Sequence, residues 1–365
     1  MGKIVGLTYD LKTDWASGGN DPQDANAEFD KPQTIERIVL ALSRGGHTVR
    51  KIGNVLNLLS RIDSLGVDIV FNICEGQGGR NRESQVPVLL DIKGIPYVGA
   101  DGLTLGITLD KIVAKQIFQA EGVPTAPYFV ATNTDDLDRS NTIGYPLIVK
   151  TSHEGTSKGI TISSRVADRE GLRRQVHIVN TQYHQRALVE KFIKGTEFTV
   201  AVLGNEKPEA MPVVQISMDG DINLGDRFYS SERITASSTL RYVCPAQIPD
   251  CLSRLLQEVA VRAYQSVGCR DFGRVDFRVD EDGNPYVLEI NPLPSLSEED
   301  VFNIFPNVIG TSYDAVLNKI LDFALERCGL LERQGCEASP LGGCEGISRD
   351  HAPECSCTLS SEDIQ

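Results

Sequence analysis

GRVDFRVDEDGNPYVLEINPLPSLS, Gly273–Ser297, sets two strand-like runs on either side of Asp282–Gly283. An Asp-Gly pair flanked by alternating apolar residues signals a two-residue hairpin turn. With those two residues as the loop, Glu281 faces Asn284. Asp276 then lies opposite Glu289, and Arg274 opposite Asn291. Cross-strand neighbours of this kind stand ~4.5–5.5 Å apart at Cβ. Alternation separates two faces. Val275, Phe277, Val279, Tyr286, Leu288 and Ile290 predict a core face, and Arg274, Asp276, Arg278, Glu289 and Asn291 share the other. Two opposed carboxylates repel unless something neutralises them. The oxygens of Asp276, Glu289 and Asn291 suit Mg²⁺, which keeps waters or takes substrate phosphates as its other ligands, and two such ions could share Glu289. A solvated face, on which Arg274 and Arg278 balance the acids, is the competing reading. Pro292 and Pro294 end the strand and hold Asn291 at its lip.

The 365 residues, 41% of them hydrophobic, suffice for two or three packed domains. No run of about 18 apolar residues offers a membrane span. The first residues, MGKIVGLTYDLKTDW, lack the features of a signal peptide and read as a first strand. Net charge is −14 with no basic stripe, which argues against nucleic acid as a partner. Five cysteines (Cys74, Cys244, Cys251, Cys269, Cys328) are scattered through the globular pattern and read as ordinary buried thiols, which favours a reduced, cytoplasmic setting.

Strands KIVGLTYD, HTVRKIG, GVDIVFNIC and IPYVGA, with a helix over Lys31–Gly45, imply a parallel, doubly wound α/β sheet in roughly the first hundred residues. An amphipathic helix follows over Leu109–Ala120. YPLIVKT, RALVEKFI and EFTVAVLG read as strands, the last two joined by a turn at Lys194–Gly195, and a helix is predicted from Pro249 to Val267. After Leu331 periodicity fades into small and polar residues, a pattern that predicts a flexible tail. Cys336, Cys344, Cys355, Cys357 and His351 in that tail leave zinc binding as an alternative, without any C-x₂-C pair.

Cations for a polyanion are few. Lys111 opens a helix, Lys150 ends a strand, and the loop HEGTSKGI follows with Gly155, Thr156, Ser157 and Gly159. Small residues let backbone N–H groups approach phosphate oxygens, and a lysine supplies a compact charge. The loop lacks the G-x-x-x-x-G-K-[ST] pattern, so it is not a Walker site. In LVEKFIKGTEF, Glu190 and Glu197 could accept from an adenine amino group and from ribose hydroxyls, or could be merely exposed strand residues.

The order LDK, IVK with its Gly/Ser/Thr loop, VEKFIKGTEF, YVCPAQI and GRVDFRVDEDGNPYVLEINPLPSLS resembles the ATP-grasp ligases, specifically the D-alanine–D-alanine ligase branch, over roughly residues 65–325. The resemblance implies a three-domain ATP-grasp fold. A Rossmann-like N-terminal domain (1–105) would precede a central subdomain (106–185) and a C-terminal subdomain of α+β character (186–330), with 331–365 as the tail. It implies that Lys111 and Lys150 bind ATP phosphates and that Thr156 and Ser157 lie on the phosphate-covering loop. Glu190, Lys191, Phe192 and Ile193 would form the adenine hinge, and Glu197 would hold the ribose. Asp276, Glu289 and Asn291 would bind two Mg²⁺ (Mn²⁺ being possible), while Arg274 stabilises the transition state. The implied chemistry makes an acyl phosphate from a carboxylate, then an amide from an amine. A homodimer is implied as well.

The substrate half departs from the pattern. Glu28 and Asp30 are the possible stand-ins for the acid that binds the first substrate's ammonium. The family's His-Gly appears as Glu75–Gly76. Ser295 stands where a glycine N–H helps form the oxyanion site. Asp300 replaces a serine that binds the second substrate's carboxylate, and it would repel one. The Lys-Tyr pair of the closing loop is absent, with Arg233 the nearest cation. The expectation is a ligase with altered substrates, an acceptor carrying positive charge suiting Asp300. The alternatives are a true D-alanine–D-alanine ligase, a nucleotide-binding regulator without ligase chemistry, and phosphorylation without amide formation.

Overall fold

The N-terminal sheet is parallel and four-stranded. Strands β1 (Ile4–Tyr9), β2 (Thr48–Gly53), β3 (Ile69–Ile73) and β4 (Tyr97–Val98) pair in the order β2-β1-β3-β4. β3 is buried along its whole length, as a sheet covered on both faces requires. Helices α1 (Pro32–Arg44), α2 (Val55–Arg61) and α3 (Gln85–Lys93) connect these strands. This computed structural model describes residues 2–15, 24, 26–230 and 240–331. Met1–Leu331 form one compact unit. The whole Cys-containing tail, with both of its readings, lies outside the described residues, as does Arg233.

The next sheet is antiparallel, of β5 (Tyr128–Ala131), β6 (Leu147–Thr151), β7 (Arg165–Val166) and β8 (Ala187–Lys191) in the order β5-β8-β6-β7. The third contains β9 (Gly195–Leu203), β10 (Glu209–Ala210), β11 (Val214–Met218), β12 (Leu240–Val243), β13 (Phe272–Asp280) and β14 (Pro285–Asn291). Its order is β12-β11-β9-β13-β14, with β10 on β9. The two strands expected to meet at Lys194–Gly195 therefore do not form a hairpin. β8 and β9 belong to different sheets, and Phe192–Lys194 carries the chain between them.

The helix predicted over Leu109–Ala120 is α5 (Lys111–Ala120), preceded by α4 (Gly102–Leu109), which the sequence reading missed. Asp110 separates them. It ends α4 and caps α5 by accepting from the N–H groups of Ile112 and Val113 at 3.0 and 3.2 Å. After α6 (Ser140–Ile143), α7 (Arg169–Gln182) and the expected α8 (Asp250–Ser266) come α9 (Val301–Val308) and α10 (Tyr313–Arg327). α10 packs Ile320, Leu321 and Leu325 into the same core as Val5, Leu7 and Phe71 of the first sheet. Each such buried side chain contributes ~1.5–3 kcal/mol. Of the scattered cysteines, Cys74 and Cys269 are buried as expected, but Cys251 is exposed, on the first turn of α8.

The decisive hairpin keeps its predicted pairs near the strand ends but reaches them differently. Arg274 pairs with Asn291 and Asp276 with Glu289. The loop has three residues, Glu281–Gly283, closed by Asp280 N–H donating to the Asn284 carbonyl at 3.1 Å. Gly283 takes φ +87°, which glycine adopts freely. A register shift between Asp276 and Phe277 restores the pairing, with Leu288 as the extra residue of a bulge. The faces change accordingly. Val287, not Leu288, is buried against Phe277, while Tyr286 is only half-buried and Leu288 turns to a cavity.

Asp271 joins distant parts of this unit. It is fully buried, accepts from Gly99 N–H at 2.8 Å and Asn205 Nδ2 at 3.0 Å, and pairs with Arg327 at 2.6 Å. Removing one partner of such a pair strands the other. Asp271→Ala is expected to cost ~3–5 kcal/mol in urea unfolding. An unchanged midpoint would show that the network carries no stability.

Candidate active site

The β9–β13 pairing sets the first side chains. Arg278 lies opposite Glu197 and Asp276 opposite Thr199. Hence Arg278 Nη1 bonds Glu197 at 2.5 Å, and Thr199 Oγ1 donates to Asp276 Oδ1 at 2.6 Å. On β14, Asn291 Nδ2 donates to Asp276 Oδ2 at 3.0 Å. Arg274 grips both oxygens of Asp276 at 3.0 Å and reaches Asp300 at 3.2 and 3.3 Å. Glu289 pairs with Lys111 at 3.1 Å. Burial works against both charges of that pair. Their mutual attraction prevails, raising the lysine above its ordinary value and lowering the carboxylate below its own.

Lys111 comes from the first turn of α5 and Lys150 from β6. Lys150 Nζ lies 2.6 Å from Glu190, which also takes Lys115 at 2.5 Å. Burial alone would raise the Glu190 carboxyl, but Lys115 and Lys150 bring it down to about 2. Lys115 shares that one carboxylate with Lys150, so its own burial wins and its value falls. In the hinge, the N–H groups of Lys191 and Phe192 donate to Pro127 and Pro146 carbonyls, and the Ile193 carbonyl accepts from Arg278. Glu197 also accepts from Tyr229 N–H, and burial raises its carboxyl.

In the glycine-containing loop, Thr156 and Ser157 both adopt left-handed backbone at φ 46° and 56°. Non-glycine residues held there store strain and cluster at functional sites. The loop is tied to the N-terminal segment, Gly155 N–H donating to Glu28 at 2.5 Å and Gly159 N–H to Asp24 at 2.9 Å. Arg82 clamps Glu28 with two bonds of 2.7 and 2.9 Å.

Every residue given a catalytic, nucleotide, metal or substrate role by the resemblance, except Arg233, lines a single cavity of about 350 Å³. Within it some carry partners that the sequence did not disclose. Glu28 is engaged by Arg82 and the loop, so it is not a free seat for an ammonium. Asp300 is matched by Arg274 and caps α9 through Val301 N–H at 2.6 Å, so its charge is offset where a cationic acceptor was expected. Ser295 is exposed on the lining and accepts from Ser297 N–H at 3.2 Å. Burial raises Asp30 to about 7, with Asp10 adding to it. Lys115, Arg82, Glu83 and Thr199 were missed. Lys115 carried a signal, four residues after Lys111 on one helix face. Thr199 carried another, two residues after Glu197 on a strand.

The profile described as "D-ala D-ala ligase C-terminus" matches residues 117–322. A D-alanine–D-alanine ligase of Pelotomaculum thermopropionicum is 30% identical over 310 residues, covering 82% of this chain and 94% of that protein. An uncharacterized protein of Sinorhizobium fredii, y4sG, is 35% identical over 263 residues, 71% of this chain and 75% of that one. The crystal structure of a D-alanine–D-alanine ligase from Bacillus anthracis complexed with ATP superimposes with a TM-score of 0.68 at 21% identity, over 90% of this chain and 99% of that chain. The VanG D-Ala:D-Ser ligase of Enterococcus faecalis gives 0.67 at 19%, over 89% and 100%. The fold and these relationships define an ATP-dependent carbon–nitrogen ligase of the ATP-grasp type. The chain belongs to the D-alanine–D-alanine ligase family.

Glu190 gives a test. A carboxyl lowered from 4.5 to about 2 on folding contributes stability that is complete above its unfolded value and is lost as pH falls from ~4.5 to ~2. Glu190→Gln should lose ~3–5 kcal/mol at neutral pH, because two buried ammoniums lose their counter-charge. Its acid-unfolding curve should also be shallower than the wild type's in that window. Equal slopes would refute the pairing.

Proposed function

We propose that this ligase joins an amino-acid carboxylate to an amine, that its substrates are not two D-alanines, and that Mg²⁺ is its metal. The supporting observation is that Asp276, Glu289, Asn291, Lys111 and Lys150 line one cavity together with the strained Thr156–Ser157 loop. The donor set fits the ion. It offers oxygens only, two of them carboxylates directly opposed on paired strands. Asp276, Glu289 and Asn291 would hold it, with Mn²⁺ the alternative. When bound, it supplies positive charge that offsets what builds on the transferred phosphoryl group.

In this reading Lys111 and Lys150 hold phosphate oxygens, and the loop at Thr156–Ser157 covers them. Glu190 with Ile193 orients the base, and Glu197 orients the ribose. A substrate carboxylate oxygen attacks the γ-phosphorus as the bond to ADP breaks, and Arg274 faces the developing charge. The amine nitrogen then attacks the acyl carbon, the carbon–oxygen bond to phosphate breaks, and the nitrogen loses a proton. Enclosure keeps water from the acyl phosphate. The altered-substrate reading is supported by Asp300, which pairs with Arg274 in place of a serine, and by Glu75 in place of a histidine. A homodimer, which the resemblance implies, and a cytoplasmic location, which the scattered cysteines favour, belong to the same reading. Among the described residues no helix is long and apolar enough to cross a membrane.

The test is ADP and phosphate release across pairs of carboxylates and amines, with hydroxylamine to trap the acyl phosphate as a hydroxamate. Turnover should need Mg²⁺ or Mn²⁺, and Asp276→Asn should lower kcat roughly 10²–10³-fold. Strong turnover with D-alanine alone would overturn the altered-substrate reading. ATP binding with no hydroxamate from any carboxylate would point to a regulator, and a phosphorylated product stable to amine would point to phosphorylation alone.

A further inference from the structure

Most carboxylates that line the cavity have an internal cation. Glu28 has Arg82, Glu154 has Lys158, Glu190 has two lysines, Glu197 has Arg278, and Glu289 has Lys111. Asp276 and Asp300 share Arg274, and Glu299 has Lys31. Glu75, Glu83 and Asp30 have no cation in contact: Arg82 acts on Glu75 and Glu83, Lys111 on Glu83 and Lys12 on Asp30 only from beyond ion-pair distance. Among the described residues, none of these three side chains makes a hydrogen bond or an ion pair, although all three line the cavity. Glu83 is only 8% exposed. A carboxyl so buried without a partner is costly to keep charged.

The fold brings two of them together. Gly76 packs so closely on the backbone at Arg82 that a Cβ there would lie 2.3 Å from the Arg82 carbonyl oxygen, and Gly76 N–H donates to Asp10 at 2.9 Å. Glu75 precedes that glycine and Glu83 follows that arginine; both line the cavity, and Glu83 is the charge that acts most strongly on Glu75.

We propose that Glu75 and Glu83 form a cation subsite, and that one of the two molecules joined is an amino acid whose side chain ends in a protonated nitrogen. The proposal rests on the ligase reading and names its substrate class. An α-ammonium is matched by a single carboxylate, so a pair of carboxylates without an ion-pair contact, with Asp30 a third in the same cavity, suits a second positive group. Burial raises both carboxyls, Glu83 to about 8, as expected of acids whose cation arrives with the ligand.

The probes are D- and L-lysine against D- and L-norleucine, which have the same length but lack the terminal nitrogen. Their affinities are measured by calorimetry with Mg²⁺ and a non-hydrolysable ATP analogue, and ADP release is followed in parallel. One enantiomer of lysine should bind the wild type about tenfold or more tightly than its norleucine counterpart. Glu75→Gln and Glu83→Gln should erase that preference while leaving norleucine unchanged. Equal or tighter norleucine binding, absence of lysine binding, or a preference that survives in both folded variants would overturn the proposal. The wild-type comparison decides the matter even where a variant fails to fold. Selective lysine binding with no ADP release for any pair would instead sink the ligase reading and leave the subsite standing.

Discussion

Asp276 and Glu289 face each other across paired strands, and two carboxylates so placed cannot both stay ionised without positive charge close by. Much of the cavity's construction follows from that constraint. Arg274, two residues along the same strand, holds both oxygens of Asp276. Lys111 reaches Glu289 from a different sequence region, and it can do so because Asp110 starts α5 at that point. The bulge at Leu288 keeps the pair in register while Val287 stays in the core. The far edge of β14 is covered too, with Val287 N–H donating to the Pro124 carbonyl at 2.8 Å. The opposition is thus held by three elements.

A protein of net charge −14 that takes a nucleotide must gather cations locally, and here those cations are already engaged. Lys150 rests on Glu190 and Lys111 on Glu289. In the proposed reading, phosphate oxygens arriving at either lysine would compete with a carboxylate. The released carboxylate then needs a new cation. At Glu289 a divalent ion entering with the phosphates would supply it. At Glu190 the second lysine, Lys115, already does. Lys115 would therefore let Lys150 exchange partners without stranding a buried carboxylate, a reason for an ammonium that is almost fully enclosed.

The hairpin and the strands around it were largely legible in the sequence because they are built from local periodicity. Alternation alone put Asp276 opposite Glu289, although that success combined two errors, a three-residue loop in place of two and an unforeseen bulge, that cancel at this pair. No local rule marks Leu288 as a bulge, because the cause is tertiary: Pro124 and Thr125 cover the edge of β14 and Val287 fills the core. β8 and β9 were misjoined for a related reason. Three residues suffice for a turn or for a passage between sheets, and only packing distinguishes them. α10 stayed hidden because its role, covering the first sheet from the other end of the chain, leaves no local trace beyond helical spacing.

The substrate-facing half was poorly legible because charge there is assigned by partners far apart in sequence. Glu28, Glu75, Glu83 and Asp300 are equally plausible anionic seats when read as letters. Folding distinguishes them through two guanidinium groups. Arg82 takes Glu28 and Arg274 takes Asp300, which leaves Glu75 and Glu83 without an ion-pair contact. Arg82 and Glu83 are chain neighbours, yet the arginine turns to Glu28, 54 residues away, and not to the adjacent acid. Its Nη2 alone reaches both Glu28 oxygens while Nη1 donates to the His153 carbonyl at 2.9 Å, so the guanidinium is engaged on that side by two partners distant in sequence. If the proposed subsite holds, substrate preference in this cavity would be set by which acids the two arginines leave without a contact.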